Sequence, residues 1–289
     1  MKQSLQHLLI PLGDGVRLEV ERTAESVELH SRWQTIRTEH TARFGELYCL
    51  DGDAMVGTAD EFMIHESLAH HVALEHTSPR RALILGGGDG GTARELLKHP
   101  CIDAIVIAEL DERVVARVRE ALPTVSAGAL DNPRVTLRLG DAGETLEASR
   151  QCGERFDLIL FDLTASDDPA CAHLHAPPFL NACADRLMPG GRLHVQLGSP
   201  FYQPETVAAL HRRLSAVFPY VRPALISVPL YGGPWLLAAA SVEALPETSE
   251  AQLAQRLAER AIPPLRYYNP ALHRASFALP NDVHALLTA

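Results

Sequence analysis

The sequence predicts an α/β fold: a parallel, doubly wound sheet preceded by a small antiparallel β module. Three observations carry this. From residue 81 onward short apolar runs alternate with helical segments, as expected for strands covered on both faces. A glycine-rich turn, Gly86-Gly87-Gly88-Asp89-Gly90-Gly91, follows the first of these runs, where open α/β sheets bind ligands. Residues 15–58, by contrast, alternate and turn without helical period.

Taken in order, residues 16–20, 33–38 and 46–50 read as strands, and Asp51-Gly52 is a hairpin turn signal. This module is assigned to residues 1–60. A helix follows over 61–75, with apolar Phe62, Leu68, Ala69, Val72 and Ala73, and opens a second domain of residues 61–289. Strands are expected at 82–85, 104–108, 135–139, 156–161 and 193–197, and helices at 92–98, 111–121 and 206–217. The charge-free stretch 223–242 contains three prolines and Gly232-Gly233. It reads as two strands joined by a turn and not as a membrane span. Residues 245–264 are helical, polar and alanine-rich, and read as a surface excursion.

The chain has 289 residues, 46% hydrophobic and 21% charged, which excludes a largely disordered protein. Lys plus Arg number 26 and Asp plus Glu 36, a net charge of −10. That balance argues against a nucleic-acid or anionic-membrane binder and is compatible with a cationic small substrate. The five cysteines form no CxxC, and are expected to be the reduced thiols of a cytoplasmic protein. The apolar run Leu8-Leu9-Ile10 is too short for a signal-peptide core.

Chemistry concentrates at strand ends. Gly86, Gly88 and Gly91 fit the spacing of a dinucleotide turn. Asp89 inside it would repel a pyrophosphate, since two charges ~4 Å apart at an effective dielectric of ~20 interact by ~4 kcal/mol. The loop therefore suits an adenosyl sulfonium carrying an amine. Glu109 ends the next strand, 18 residues after Gly91, where an acid accepts from ribose hydroxyls. Asp141 ends the third and can accept from an adenine amino group. Asp162 ends the fourth, with Asp167 and Asp168 downstream, and these acids suggest an amine acceptor. An amine with a pKa near ~10 is protonated at neutral pH, and a carboxylate can bind it and then take its proton. His70, His71 and His76 lack a completing Cys or Asp at helical spacing, so no metal is assigned. Trp33 and Trp235 are read as core residues.

The chain resembles the polyamine aminopropyltransferases, the spermidine synthase family, from Trp33 to about Val283. The similar stretches include Gln34, Leu50-Asp51-Gly52, Asp60-Glu61-Phe62 with His65-Glu66, and Leu85 to Gly91. Further ones are Glu109-Leu110-Asp111, Gly140-Asp141-Ala142, Tyr231-Gly232-Gly233 and Arg266-Tyr267-Tyr268-Asn269-Pro270. The resemblance implies a methyltransferase-like Rossmann domain behind the β module, in a homodimer or homotetramer. It implies decarboxylated S-adenosylmethionine as co-substrate, no tightly bound cofactor, and a polyamine acceptor, putrescine by default. Gln34, Gly86, Gly88, Asp89, Glu109 and Asp141 would bind the donor. His65, Asp89, Asp162, Asp168 and Tyr231 would face the acceptor, with Asp162 as the base. Two positions depart from the family pattern: Ile64 stands where Tyr precedes the His-Glu pair, and Ala165 stands where an acid follows Asp162. The alternatives are a methyltransferase using intact S-adenosylmethionine, whose extra carboxylate Asp89 would disfavour, and a nucleoside-binding protein without catalysis.

Overall fold

The structure is a computed structural model describing residues 7–13, 15–163, 171–244 and 246–288. The predicted parallel sheet and the antiparallel module before it are both present. A two-stranded hairpin, β1 (His7–Gly13) and β2 (Val16–Glu21), precedes a four-stranded antiparallel sheet. Its strands are β3 (Val27–His30), β4 (Thr35–Thr41), β5 (Gly45–Leu50) and β6 (Asp53–Gly57). The β4 strand starts two residues after Trp33, so Gln34 lies in the turn before it.

Helix α1 (Glu61–Glu75) leads into β7 (Arg81–Gly86), α2 (Gly91–Leu97), β8 (Ala104–Glu109), α3 (Glu112–Ala121) and α4 (Pro123–Ser126). Then come β9 (Val135–Leu139), α5 (Ala142–Gln151), β10 (Phe156–Asp162), α6 (Pro177–Arg186), β11 (Leu187–Gly198) and α7 (Pro204–Val217). The chain closes with β12 (Tyr220–Val228), β13 (Gly233–Ser241), α8 (Glu250–Glu259), α9 (Pro270–Ser276) and α10 (Asn281–Thr288). The sheet order is β12-β13-β11-β10-β7-β8-β9. Strands β9 through β11 run parallel, while β13 pairs antiparallel with both β11 and β12. The order reverses between β7 and β10, which makes their C-terminal ends the expected ligand crevice.

Side chains alternate across the sheet. Leu83, Leu85, Ile159 and Phe161 face Leu146, Leu180 and Leu210 of α5, α6 and α7. Ala82, Ile84, Leu158 and Leu160 face Leu68, Val72 and Leu96 of α1 and α2. The small sheet is fixed to this body by Ile36, Tyr48 and Val56 against Val114 and Val118 of α3. Leu230, after β12, packs on the β1–β2 hairpin.

One expectation is refined and one corrected. Helix α8 lies at the surface, as the sequence suggests, but it is anchored to α1. Leu253 of α8 is fully buried against Leu74 and Tyr268, and Arg256 and Arg260 donate to the carbonyls of Leu74, Glu75, Ala73, His76 and Thr77. The last turn of α1 contains no basic residue of its own, and α8 supplies donors for its open carbonyls. Trp33 is not core: it is 46% exposed, with Arg32 stacked on its ring. No described helix is long and apolar enough to cross a membrane.

Candidate active site

A cavity of about 440 Å³ opens at the C-terminal ends of β7, β8 and β10, under β1, β6 and the β12–β13 turn. Backbone chemistry explains its floor. Gly86 has φ +76° and a Cβ there would sit 2.2 Å from the Asp162 carbonyl oxygen. A Cβ on Gly88 would sit 2.6 Å from Glu109 Oε2. Only glycine lets the turn approach both acids this closely. The Gly87 amide donates to the Asp162 carbonyl at 2.8 Å, which ties the turn to β10.

Gly86, Gly88, Gln34, His65, Asp89, Glu109, Asp141, Asp162 and Tyr231 all line this one cavity. Glu109 accepts the amides of Gly88 (3.1 Å) and Asp111 (2.9 Å). Burial pushes its pKa up to about 7, helped by Asp111 and Asp89, against those two amides. Asp141 caps α5 by accepting the Gly143 amide at 2.7 Å and keeps its second oxygen toward His173. Gln34 donates to Asp111 at 3.2 Å, so the small sheet grips the same edge.

Asp89 accepts the Gly91 amide at 2.6 Å and faces His65 Nε2 at 3.6 Å. Burial alone would raise its pKa, but His65 and that amide hold it below the ordinary carboxylate range. His65 Nδ1 donates to Glu61 at 2.5 Å. Burial works against its charge, yet Asp89 and Glu61 hold its pKa well above the usual histidine value. Asp162 accepts the Thr92 hydroxyl at 2.7 Å and the Gln196 amide at 3.4 Å. Burial, then the charge of Asp89, pushes its pKa up to about 6.

Tyr231 lines the cavity, and its hydroxyl donates its proton to the Met55 carbonyl at 2.6 Å. The oxygen keeps lone pairs that can accept from an ammonium. Ile64 packs among Ile226, Val228 and Leu237 instead of lining the cavity. Asp168 and Ala165 lie outside the described residues. Thr92, Gln196 and Trp235 were not anticipated in the site. Trp235, expected in the core, is a half-buried cavity wall whose indole donates to Gln196 at 3.1 Å. Gln196 could have been found from its place at the end of β11, by the rule that singled out the acids.

His65, Asp89 and Asp162 are the one group among the described residues with ligand atoms close enough for a metal, all within 4.8 Å of one another. The two aspartates of this group can also receive an organic cation, which each carboxylate would hold by a charge-assisted hydrogen bond. His70 pairs with Glu95 and His99, apart from this site.

Known proteins resemble this chain in sequence and in fold. The spermine/spermidine synthase domain matches residues 61–250. A polyamine aminopropyltransferase of Nitrosomonas europaea is 39% identical over 279 residues, spanning 96% of this chain and 85% of that protein. A spermidine synthase solved in complex with the transition-state analogue AdoDATO aligns with a TM-score of 0.88 at 31% identity, covering 100% of this chain and 98% of that one. The spermidine synthase of Thermotoga maritima aligns with a TM-score of 0.86 at 32% identity, with the same coverage. By sequence and by fold, this chain belongs to the polyamine aminopropyltransferase (spermidine synthase) family.

Proposed function

We propose that the protein transfers the aminopropyl group of decarboxylated S-adenosylmethionine to an amine, putrescine by default, and releases methylthioadenosine. The observation that carries this is the pair Asp89 and Asp162. They are two acids of one cavity, one held ionised and the other poised near neutrality. Glu109 accepts from the ribose hydroxyls, Asp141 from the adenine amino group, and Gln34 borders the nucleoside. Asp89 holds the donor's ammonium.

The acceptor nitrogen attacks the methylene carbon bound to the sulfonium sulfur. The new N–C bond forms as the C–S bond breaks, and its electron pair stays on sulfur. The leaving thioether is neutral and needs no acid. The acceptor must first lose a proton, which costs roughly 4 kcal/mol for an amine of pKa near ~10 at neutral pH. With a pKa of about 6, Asp162 is mostly ionised there and can take that proton. Tyr231 accepts from the acceptor ammonium, and Asp168 steadies its distal end. The reading extends to a cytoplasmic homodimer or homotetramer.

Incubation with each donor and a panel of amines, followed by mass spectrometry, tests the proposal. Aminopropyl addition to a diamine is expected. Methyl addition without aminopropyl addition would assign a methyltransferase instead. Tight methylthioadenosine binding with no turnover on any amine would leave a nucleoside-binding protein.

A further inference from the structure

His65 sits between two acids, with Nε2 facing Asp89 in the cavity and Nδ1 facing Glu61 outside it. Glu61, one turn earlier on α1, takes the Nδ1 proton. Arg94 of α2 then grips Glu61 with both terminal nitrogens, at 3.0 Å and 2.9 Å. The same guanidinium donates to the Val125 carbonyl at 2.6 Å and to Glu95 at 2.8 Å. Glu95 in turn contacts Lys98 at 2.6 Å and His70 at 2.9 Å. Charges alternate along this ladder, from Asp89 through His65, Glu61, Arg94 and Glu95 to Lys98. Neither Glu61 nor Arg94 lines the cavity, so neither touches a bound substrate.

A lone buried histidine would shed its proton. A buried glutamate beside it would itself be neutralised without a compensating charge, and a two-pronged arginine supplies one that cannot deprotonate. We propose that Glu61 and Arg94 are positioning residues that lock His65 as an imidazolium against Asp89. They thereby set the charge of the two aspartates that handle the amines. The groups facing His65 come from several elements: Asp60 and Glu61 at the start of α1, Asp89 in the glycine turn, Asp162 at the end of β10, and Arg94 behind Glu61. Of these Glu61 alone bonds the histidine's Nδ1.

The kinetic part of this inference rests on the proposed aminopropyl transfer; the protonation part does not. Histidine-selective ¹³C and ¹⁵N labelling reads it on the protein alone, with His65 assigned by the signal lost in His65→Gln. His65 in the unsubstituted protein is expected to remain an imidazolium well above the pH at which an ordinary histidine titrates, and in Glu61→Gln to lose its proton at a distinctly lower pH. In the same variant the acid limb of kcat/KM for the acceptor should move up by about one pH unit, because Asp162 loses a neighbouring cation. The donor KM should rise roughly tenfold as Asp89 loses its partner. Arg94→Met should behave alike, with partial rescue in Arg94→Lys. A neutral His65 near neutral pH in the unsubstituted protein overturns the proposal, and so does a His65 that stays charged in a folded Glu61→Gln.

Discussion

Asp162→Asn separates what this carboxylate costs the fold from what it gives the reaction. Its pKa rises from 3.8 to about 6 in the folded protein, roughly two units at 1.36 kcal/mol each, or at most ~3 kcal/mol. A raised pKa means that the fold favours the neutral acid. That contribution is complete below about pH 4 and is lost as pH rises through about 6, so the ionised form weakens the fold near neutrality. Asparagine cannot ionise. It forfeits part of the bonding with Thr92 and Gln196, which offsets about 1 kcal/mol. The variant should therefore be about 1–2 kcal/mol more stable than the unsubstituted protein at pH 7, a rise in Tm of several degrees. The gain should vanish as pH falls through about 5 and turn into a deficit of about 1 kcal/mol near pH 4, where the native acid is neutral as well and only the lost bonding remains. Turnover should move the other way. Loss of a general base lowers kcat by about 10²–10⁴, or ~3–5 kcal/mol in the barrier. Ligand-free thermal melts across pH, paired with steady-state product formation, measure both. A kcat within tenfold of the unsubstituted enzyme refutes the base assignment. A variant less stable at pH 7 refutes the reasoning about burial.

Glu109 has its pKa pushed up to about 7, so it becomes the better acceptor as pH rises, and the donor KM should fall between about pH 6 and 8. Steady-state kinetics with the donor varied reads this, and a flat profile would count against it. Gly88→Ala forces a Cβ to within 2.6 Å of Glu109 Oε2; the donor KM should rise at least roughly tenfold while circular dichroism stays unchanged. Arg260→Ala strips the donors from the Ala73, His76 and Thr77 carbonyls. It should cost about 3 kcal/mol in urea unfolding, and a change below about 1 kcal/mol would mean that α8 does little for α1.

Much of the fold was legible because apolar runs bounded by glycine and proline signal strands directly. Gly232-Gly233 marked the β12–β13 turn in this way. The place of β13 between β11 and β12 was not legible, since pairing partners leave no local period. Strand β3 was missed because all four of its residues are exposed, and helix α6 because Pro177-Pro178 resembles a loop more than an N-terminus. In the site, the strand-end rule found Glu109, Asp141 and Asp162 because a carboxylate there is conspicuous. Gln196 obeys the same rule and was passed over, since an amide carries no charge to mark it. The partnership of Glu61 with Arg94 joins positions 33 apart in sequence, and only the packing of α1 on α2 brings them together.

The density of acid in this cavity has a directional consequence for the proposed chemistry. The donor enters with two positive charges, a sulfonium and an ammonium, and the product nucleoside leaves with neither. At ~4 Å and an effective dielectric of ~20, each lost ion contact is worth ~4 kcal/mol before desolvation is subtracted. The same acids that favour the donor therefore hold methylthioadenosine less tightly, so transfer itself loosens the nucleoside. The argument applies with opposite sign to intact S-adenosylmethionine, whose carboxylate would meet Asp89. Since His65 keeps Asp89 ionised, protonation offers that aspartate no escape near neutral pH. On the proposed chemistry, the ladder behind His65 would set the preference for a decarboxylated donor.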